Sequence, residues 1–329
     1  MNISITRRAA LAGTAILAAP ATLRAQGQVR LTLAHGTAAA NPRGVTAERM
    51  AARLRELSNG RIEMRVAHAA QLGDDVAMLT ALRTGTLDMS VNSQGPTSSL
   101  VPEIAALGLP FLFADANAAY RVVDGPVGNE LGQKLAGVGL VSLGFWDNGI
   151  RHITNRRRPI NRPEDLRGLR IRTPADPATI DTFQALGAAT QQINFSELYV
   201  ALQQGVVDGQ ENPLANIHAS KLHEVNRFIS LTAHKWECSP FLASRMAWGR
   251  LNEADRNLVM QAAREATQHN RMLMQQADVQ LLAEYRGMSS VEVNVADQAA
   301  FRAATAGVLD TWQNRPIGPF VRQLRGAVS

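Results

Sequence analysis

Between Asn252 and Gly287 the chain runs without a glycine or a proline, so nothing in the backbone interrupts a helix there. Asn252 is a helix-capping residue type, and Asp255, as the third helical residue, suits the positive end of the helix dipole. About 34 residues at ~1.5 Å each make a rod of roughly 50 Å, longer than a single domain is wide. Leu251, Leu258, Ala262, Ala266, Leu273 and Leu282 give that rod an apolar stripe, imperfect only near Gln268 to Asn270. A helix of this kind has to lie along two packed units at once. The length of 329 residues agrees, because a single core stops growing at about 250–300 residues and longer chains split into domains.

The rest of the chain alternates short β-like runs with amphipathic stretches. Val29 to Ala34 and Arg61 to Val66 read as strands flanking a helix from Gly44 to Leu57, and Leu87 to Val91 follows a helix from Asp74 to Leu82 capped by Asp74. A second unit starts near Gly149, with strands around Arg151 to Thr154, Leu169 to Arg172 and Val206 to Gly209 and helices at Pro177 to Leu186 and Ser196 to Gln203. Phe241 to Ala247 reads as a further strand before the long helix. The repeated alternation predicts a mostly parallel α/β sheet, and such sheets bind ligands at the carboxyl ends of their strands.

Thr6-Arg7-Arg8 precedes an uncharged apolar run from Ala9 to Leu23, and Leu-Arg-Ala25 follows. That pattern is a secretory leader with a small residue at the cleavage point, here placed after Ala25, and the paired arginines point to the twin-arginine route. Removing Arg7, Arg8 and Arg24 lowers the formal charge from +6 to +3, since residues 1–25 hold no acid. A scattered excess of that size does not make a nucleic-acid surface. The single cysteine, Cys238, cannot form an intramolecular disulfide, and as a lone thiol it reads as a small buried hydrophobe.

Three patches carry the functional signal: Trp146-Asp-Asn-Gly-Ile-Arg151, Gly168-Leu-Arg-Ile-Arg172-Thr-Pro and Val207-Asp-Gly-Gln-Glu-Asn212-Pro. Arg172 ends a predicted strand, where its guanidinium emerges at a strand-to-loop junction and offers a planar fork matched to a carboxylate. On residue type alone a strand-end arginine is more often half of an ion pair than a ligand contact. Arg151 reads equally as a hinge arginine paired with Asp147 or Glu211. Trp146 either walls a pocket or fills the junction, Phe195 is a ligand-stacking ring or core, and Asp75 is a first-turn acid. The Asn212 amide can donate to and accept from a carboxylate or hydroxyl.

Together, and with the leader, these patches resemble the DctP-type extracytoplasmic solute-binding proteins of tripartite ATP-independent periplasmic (TRAP) transporters, over about Val29 to Trp312. The resemblance implies two α/β domains with a ligand cleft between them and the long helix spanning both. Residues 26–148 plus 235–277 would form the first domain, and 149–234 plus 278–329 the second. It implies a periplasmic location and a small organic acid as ligand. It further implies delivery to a membrane permease of a small and a large integral subunit, with no bond made or broken. Arg172 would clamp the ligand carboxylate, with Arg151 and Asn212 adding donors. Phe195, Asp75, Trp236, Trp146, His35 and Gln94 complete the expected pocket, whose hydrogen-bonding side chains favour a hydroxylated or second-carboxylate acid.

No cofactor or metal motif accompanies these patches. His223-Glu224 lacks the second histidine of a zinc-protease helix, because position 227 is arginine. Gly139 to Gly144 misses the nucleophile-elbow spacing at Leu140, and no Gly-x-Gly-x-x-Gly or phosphate loop follows the first strand. An exported enzyme on a small carboxylate, or a binding subunit of another importer or of a sensor, is the competing class. Turnover or a cofactor absorbance band would favour the enzyme.

Overall fold

The computed structural model describes residues 27–328, so the leader and its cleavage point lie outside the described residues. Nine strands among these form one sheet: β1 (Val29–His35), β2 (Ile62–Ala67), β3 (Met89–Val91), β4 (Leu140–Asn155), β5 (Arg170–Thr173), β6 (Ala189–Gln192), β7 (Gly209–Asn212), β8 (Phe228–Ser244) and β9 (Glu292–Val295). Their order is β2-β1-β3-β8-β4-β7-β5-β6, with β9 beside the start of β8. Parallel pairs occupy the two ends, β2-β1-β3 and β7-β5-β6. In the centre β8 and β4 run antiparallel to each other and to their outer neighbours. The sheet is therefore mixed where the sequence predicts a mostly parallel one.

The difference comes from two strands of 16 and 17 residues. The Asp147-Asn148-Gly149 run, which reads as the point where a second unit starts, lies inside β4. The register with β8 shifts there by a bulge between Asp147 and Gly149, and again between Ser142 and Gly144. Gly149 takes φ +115, and a Cβ on it would sit 2.8 Å from Pro213 Cβ and 2.9 Å from Met274 Cε, so glycine is required. β8 likewise starts at Phe228 and ends at Ser244, whose hydroxyl caps a short helix at Arg245–Arg250; of the strand expected at Phe241 to Ala247, only Phe241 to Ser244 is strand, the tail of β8, and the rest is that helix.

Two lobes hang from this shared pair of strands. In the first, helix Pro42–Leu57 packs Met50 and Leu54 with Leu33, Trp146 and Phe241 on one side of the sheet, and Leu131, Leu135 and Leu242 fill the other side. In the second, Ile153, Ile171 and Phe183 form one cluster, and Leu202, Ile217 and Ile229 another. The terminal helix Gly318–Val328 buries Phe320, Val321 and Leu324 in the same cluster as Leu131, Leu135 and Leu242.

The long helix, Glu253–Gly287, serves both lobes. Asn252 Oδ1 accepts the Asp255 amide N–H at 2.8 Å. Val259, Ala262 and Ala266 pack in the first lobe, and Leu281, Leu282 and Tyr285 in the second. The imperfect part of the stripe has a purpose: the Asn270 Oδ1 accepts the backbone N–H of Asp147 at 2.7 Å, pinning the bulge of β4 to the helix. No helix among the described residues is long and apolar enough to cross a membrane.

Candidate functional site

A cavity opens where the lobes face each other, the kind of interdomain position small-molecule sites favour. The second lobe contributes Arg172 from the end of β5, Asn212 from the end of β7 and Phe195 from the turn after β6; the first contributes Arg43, Asp75 and Thr37. Arg151 and Glu237 line it from the shared strands β4 and β8. The lobes touch across the mouth. Asn194 Nδ2 donates to Asp74 Oδ2 at 2.7 Å, and Asn41 Nδ2 to Asn216 Oδ1 at 2.9 Å. A hydrogen bond of this kind contributes about 0.5–1.5 kcal/mol net. Asn194→Ala should therefore weaken ligand binding by roughly two- to tenfold, mainly through faster release, as stopped-flow dissociation would report.

Arg172 is buried, and its Nε–H donates to the Ile193 carbonyl at 2.8 Å. Its terminal nitrogens meet no carboxylate among the described residues, and its guanidinium carbon lies 5.9 Å from the centre of the Phe195 ring. Burial pushes its pKa down to about 10, with Arg151 adding to the depression and Glu211 opposing it. The side chain is thus a desolvated cation, still protonated at neutral pH, with its fork open to the cavity. Such a group is costly unless an anion meets it.

Arg151 is the opposite case. Its Nε and Nη2 meet both oxygens of Glu211, the latter at 2.6 Å, and its Nη1 lies 2.9 Å from Glu237 Oε2. Burial works against its charge, yet the two carboxylates hold it well above the ordinary arginine value. Burial alone would likewise raise Glu211; Arg151, the hydrogen bond with His234 and nearby Lys235 outweigh it and hold the carboxyl far below the usual range. Behind this pair Lys235 Nζ lies 2.9 Å from Asp176 and 3.2 Å from Glu237. Of the two partners the sequence allows Arg151, Glu211 is the one it takes.

Polar amides connect the walls. Asn212 Oδ1 accepts from Asn216 at 3.1 Å, Asn216 donates to Asn148 Oδ1 at 3.2 Å, and Arg43 Nη2 donates to the same oxygen at 3.0 Å. Arg43 also donates to the Ser239 hydroxyl. Asp75 uses Oδ1 to accept from the Ser93 amide N–H at 3.1 Å and from Asn92 at 3.3 Å. Burial raises its pKa while Arg43 lowers it.

Four expected pocket residues lie elsewhere. Trp146 is core, 5.2 Å from the Phe241 ring. Trp236 is core too: its Nε1 donates to Asp147 at 2.7 Å, and Phe113 meets it edge-on at 5.5 Å. Gln94 sits behind the wall, where its Oε1 accepts the Cys238 amide N–H at 3.3 Å. His35 lies below Thr37, with Nδ1 3.0 Å from its hydroxyl and Nε2 3.0 Å from His68; burial, helped by Arg43 and His68, lowers its pKa to about 3 and keeps it neutral. Conversely, Arg43, Asn216 and Glu237 line the cavity unannounced. Arg43 in a first helical turn looks like a solvated charge. Glu237 had a signal: His234, Lys235 and Glu237 fall together inside an otherwise uncharged strand, which a buried ionic cluster accommodates.

The profile of bacterial extracellular solute-binding protein, family 7 (DctP), matches residues 33–315. The chain is 54% identical over 316 residues to "Uncharacterized protein y4mM" of Sinorhizobium fredii, covering 94% of this chain but only 58% of that one. Among solved structures it resembles the sugar acid binding protein DctPAm of Advenella mimigardefordensis in complex with galactonate (TM-score 0.89, 29% identity, 92% of this chain and 98% of that one). It also resembles a TRAP periplasmic solute binding protein of Sulfurospirillum deleyianum with bound succinate (TM-score 0.87, 30% identity, 92% and 99%). The two-lobed fold agrees with those matches, and with the profile spanning residues 33–315 this chain belongs to the DctP family of bacterial extracellular solute-binding proteins.

Proposed function

We propose that this protein captures a small organic acid in the periplasm and hands it to the small and large integral subunits of a TRAP permease. The observation that carries the reading is Arg172, a buried guanidinium with an open fork and no carboxylate among the described residues to meet it. A ligand carboxylate supplies the missing direct partner through paired, charge-assisted hydrogen bonds. Arg43 and the amides of Asn212, Asn216 and Asn148 surround that position with further groups for hydroxyls, and the Phe195 ring flanks it. Galactonate and succinate, the ligands of the two solved relatives, are both carboxylates.

The chemistry is binding without turnover. Closure of the lobes about β4 and β8, with the domain boundaries near positions 148/149 and 234/235 inside those strands, removes water from the cleft and strengthens the ion pair there. The closed, liganded form is the one the permease would recognise, and the leader at residues 1–25 accounts for export.

A thermal-shift panel of sugar acids, keto acids, dicarboxylates and aromatic acids tests this. A ligand at about 100 times its Kd adds roughly 2.7 kcal/mol to stability, so true ligands raise the melting temperature by a few degrees. Neutral sugars and amines should leave it unchanged, and a response to them in place of the acids would refute the carboxylate reading.

A further inference from the structure

The charges around the cavity are not evenly committed. Arg151 and Lys235 are in direct contact with Glu211, Glu237 and Asp176, so this buried patch already carries one carboxylate more than it has cations. Among the described residues Arg172 and Arg43 meet no carboxylate directly. Asp75 faces them from the first lobe, near enough to act on both electrostatically. Taken together, Arg43, Arg151, Arg172 and Lys235 are balanced by Asp75, Asp176, Glu211 and Glu237 before any ligand enters. The histidines closest to the cluster, His35 and His234, have pKa values lowered by burial and add no positive charge at neutral pH.

Resting on the carboxylate reading above, we infer that the cleft selects monoanionic polyhydroxy acids over dianions and that Asp75 is the residue that sets the preference. One ligand carboxylate fits the open fork of Arg172. A second would enter a poorly solvated cluster that the first already leaves with one anion in excess, and would face Asp75, where like charges repel strongly. A hydroxyl fits the same place. Asp75 already accepts from the Ser93 and Asn92 donors, a carboxylate has lone pairs to accept from a ligand hydroxyl as well, and an ionised carboxylate can only accept. Asn148, Asn212 and Asn216, neutral donors and acceptors on the remaining walls, suit further hydroxyls. Family membership does not decide the matter, since solved relatives hold a monoanion in one case and succinate in the other.

The experiment is isothermal titration of aldonates of four to six carbons, each against the aldarate in which a second carboxylate replaces the terminal hydroxymethyl group. It is run on the wild-type protein and on Asp75→Asn. The wild type should favour the aldonate by about tenfold or more, a difference of 1.4 kcal/mol. In Asp75→Asn, which keeps the Oδ1 acceptor for Ser93, that ratio should fall by about tenfold, with the aldonate weaker and the aldarate tighter. Wild-type protein that binds aldarates or succinate as tightly as any aldonate overturns the inference without recourse to a variant. An unchanged ratio in a folded Asp75→Asn overturns the assignment to that residue. If no acid binds the wild type at all, the carboxylate reading itself fails, and the inference falls with it.

Discussion

Arg172→Ala should lose the ligand almost completely while the protein stays folded. Removing one partner of a buried charged contact costs about 2–5 kcal/mol of binding, which is roughly a 30-fold to several-thousand-fold rise in Kd by titration calorimetry. Arg172→Lys keeps the charge but not the fork and should recover only part of the loss. The ligand-free protein should respond little. The folded-state pKa near 10 lies below the ordinary value of 12.5, so burial penalises the charged side chain at every pH below about 10, and the penalty fades only as pH rises from there. Alanine removes that cost along with the bond to Ile193. The apo stability should then change by no more than about 1 kcal/mol, the size of one hydrogen bond. A large apo destabilisation with unchanged affinity would mean that Arg172 is structural and that the anion binds elsewhere.

The neighbouring ion pair should give the reverse pattern. Glu211 is fully enclosed between Arg151, His234 and Lys235, and its removal leaves Arg151 short of one of two counter-ions. Breaking a buried pair from one side costs about 3–5 kcal/mol, so Glu211→Ala should lower the denaturation midpoint strongly in urea. Its folded pKa is held well below the ordinary 4.5. Its contribution is therefore complete above that value and is lost as pH falls through the folded pKa. The wild-type protein should shed this part of its stability only in strong acid, and the variant should show a flatter acid limb. An unchanged midpoint would show that Glu237 alone suffices for Arg151.

How far the sequence went depends on what kind of signal each residue leaves. Arg172 and Asn212 close short strands followed by proline-containing turns, and strand-end polar residues in a parallel unit point at the cleft by geometry; Asp75 opens a helix at the same rim. Trp236, Trp146 and His35 share the right neighbourhood in sequence, but side chains alternate across a strand, and Gln94 opens a short helix, Gln94–Ser98. In β4 and β8 the bulges at Gly144 and Gly149 and the left-handed Ala233 change which face each residue presents. Local pattern cannot count those shifts. The same two strands escaped recognition as long strands because their glycines and charged residues read as breaks. Arg43 was illegible because its burial depends on Asn148 and Ser239, more than a hundred positions away.

The strand pair also governs how the molecule can be assembled. β4 and β8 join residues remote in the chain, Leu140 with Ser244 and Asn155 with Phe228. Each lobe's sheet needs part of both strands before its edge is closed. Neither lobe is then an autonomous folding unit, and such high contact order makes for slow folding. Unfolding should be a single cooperative event, and a chain cut or truncated between the two strands should yield no stable half.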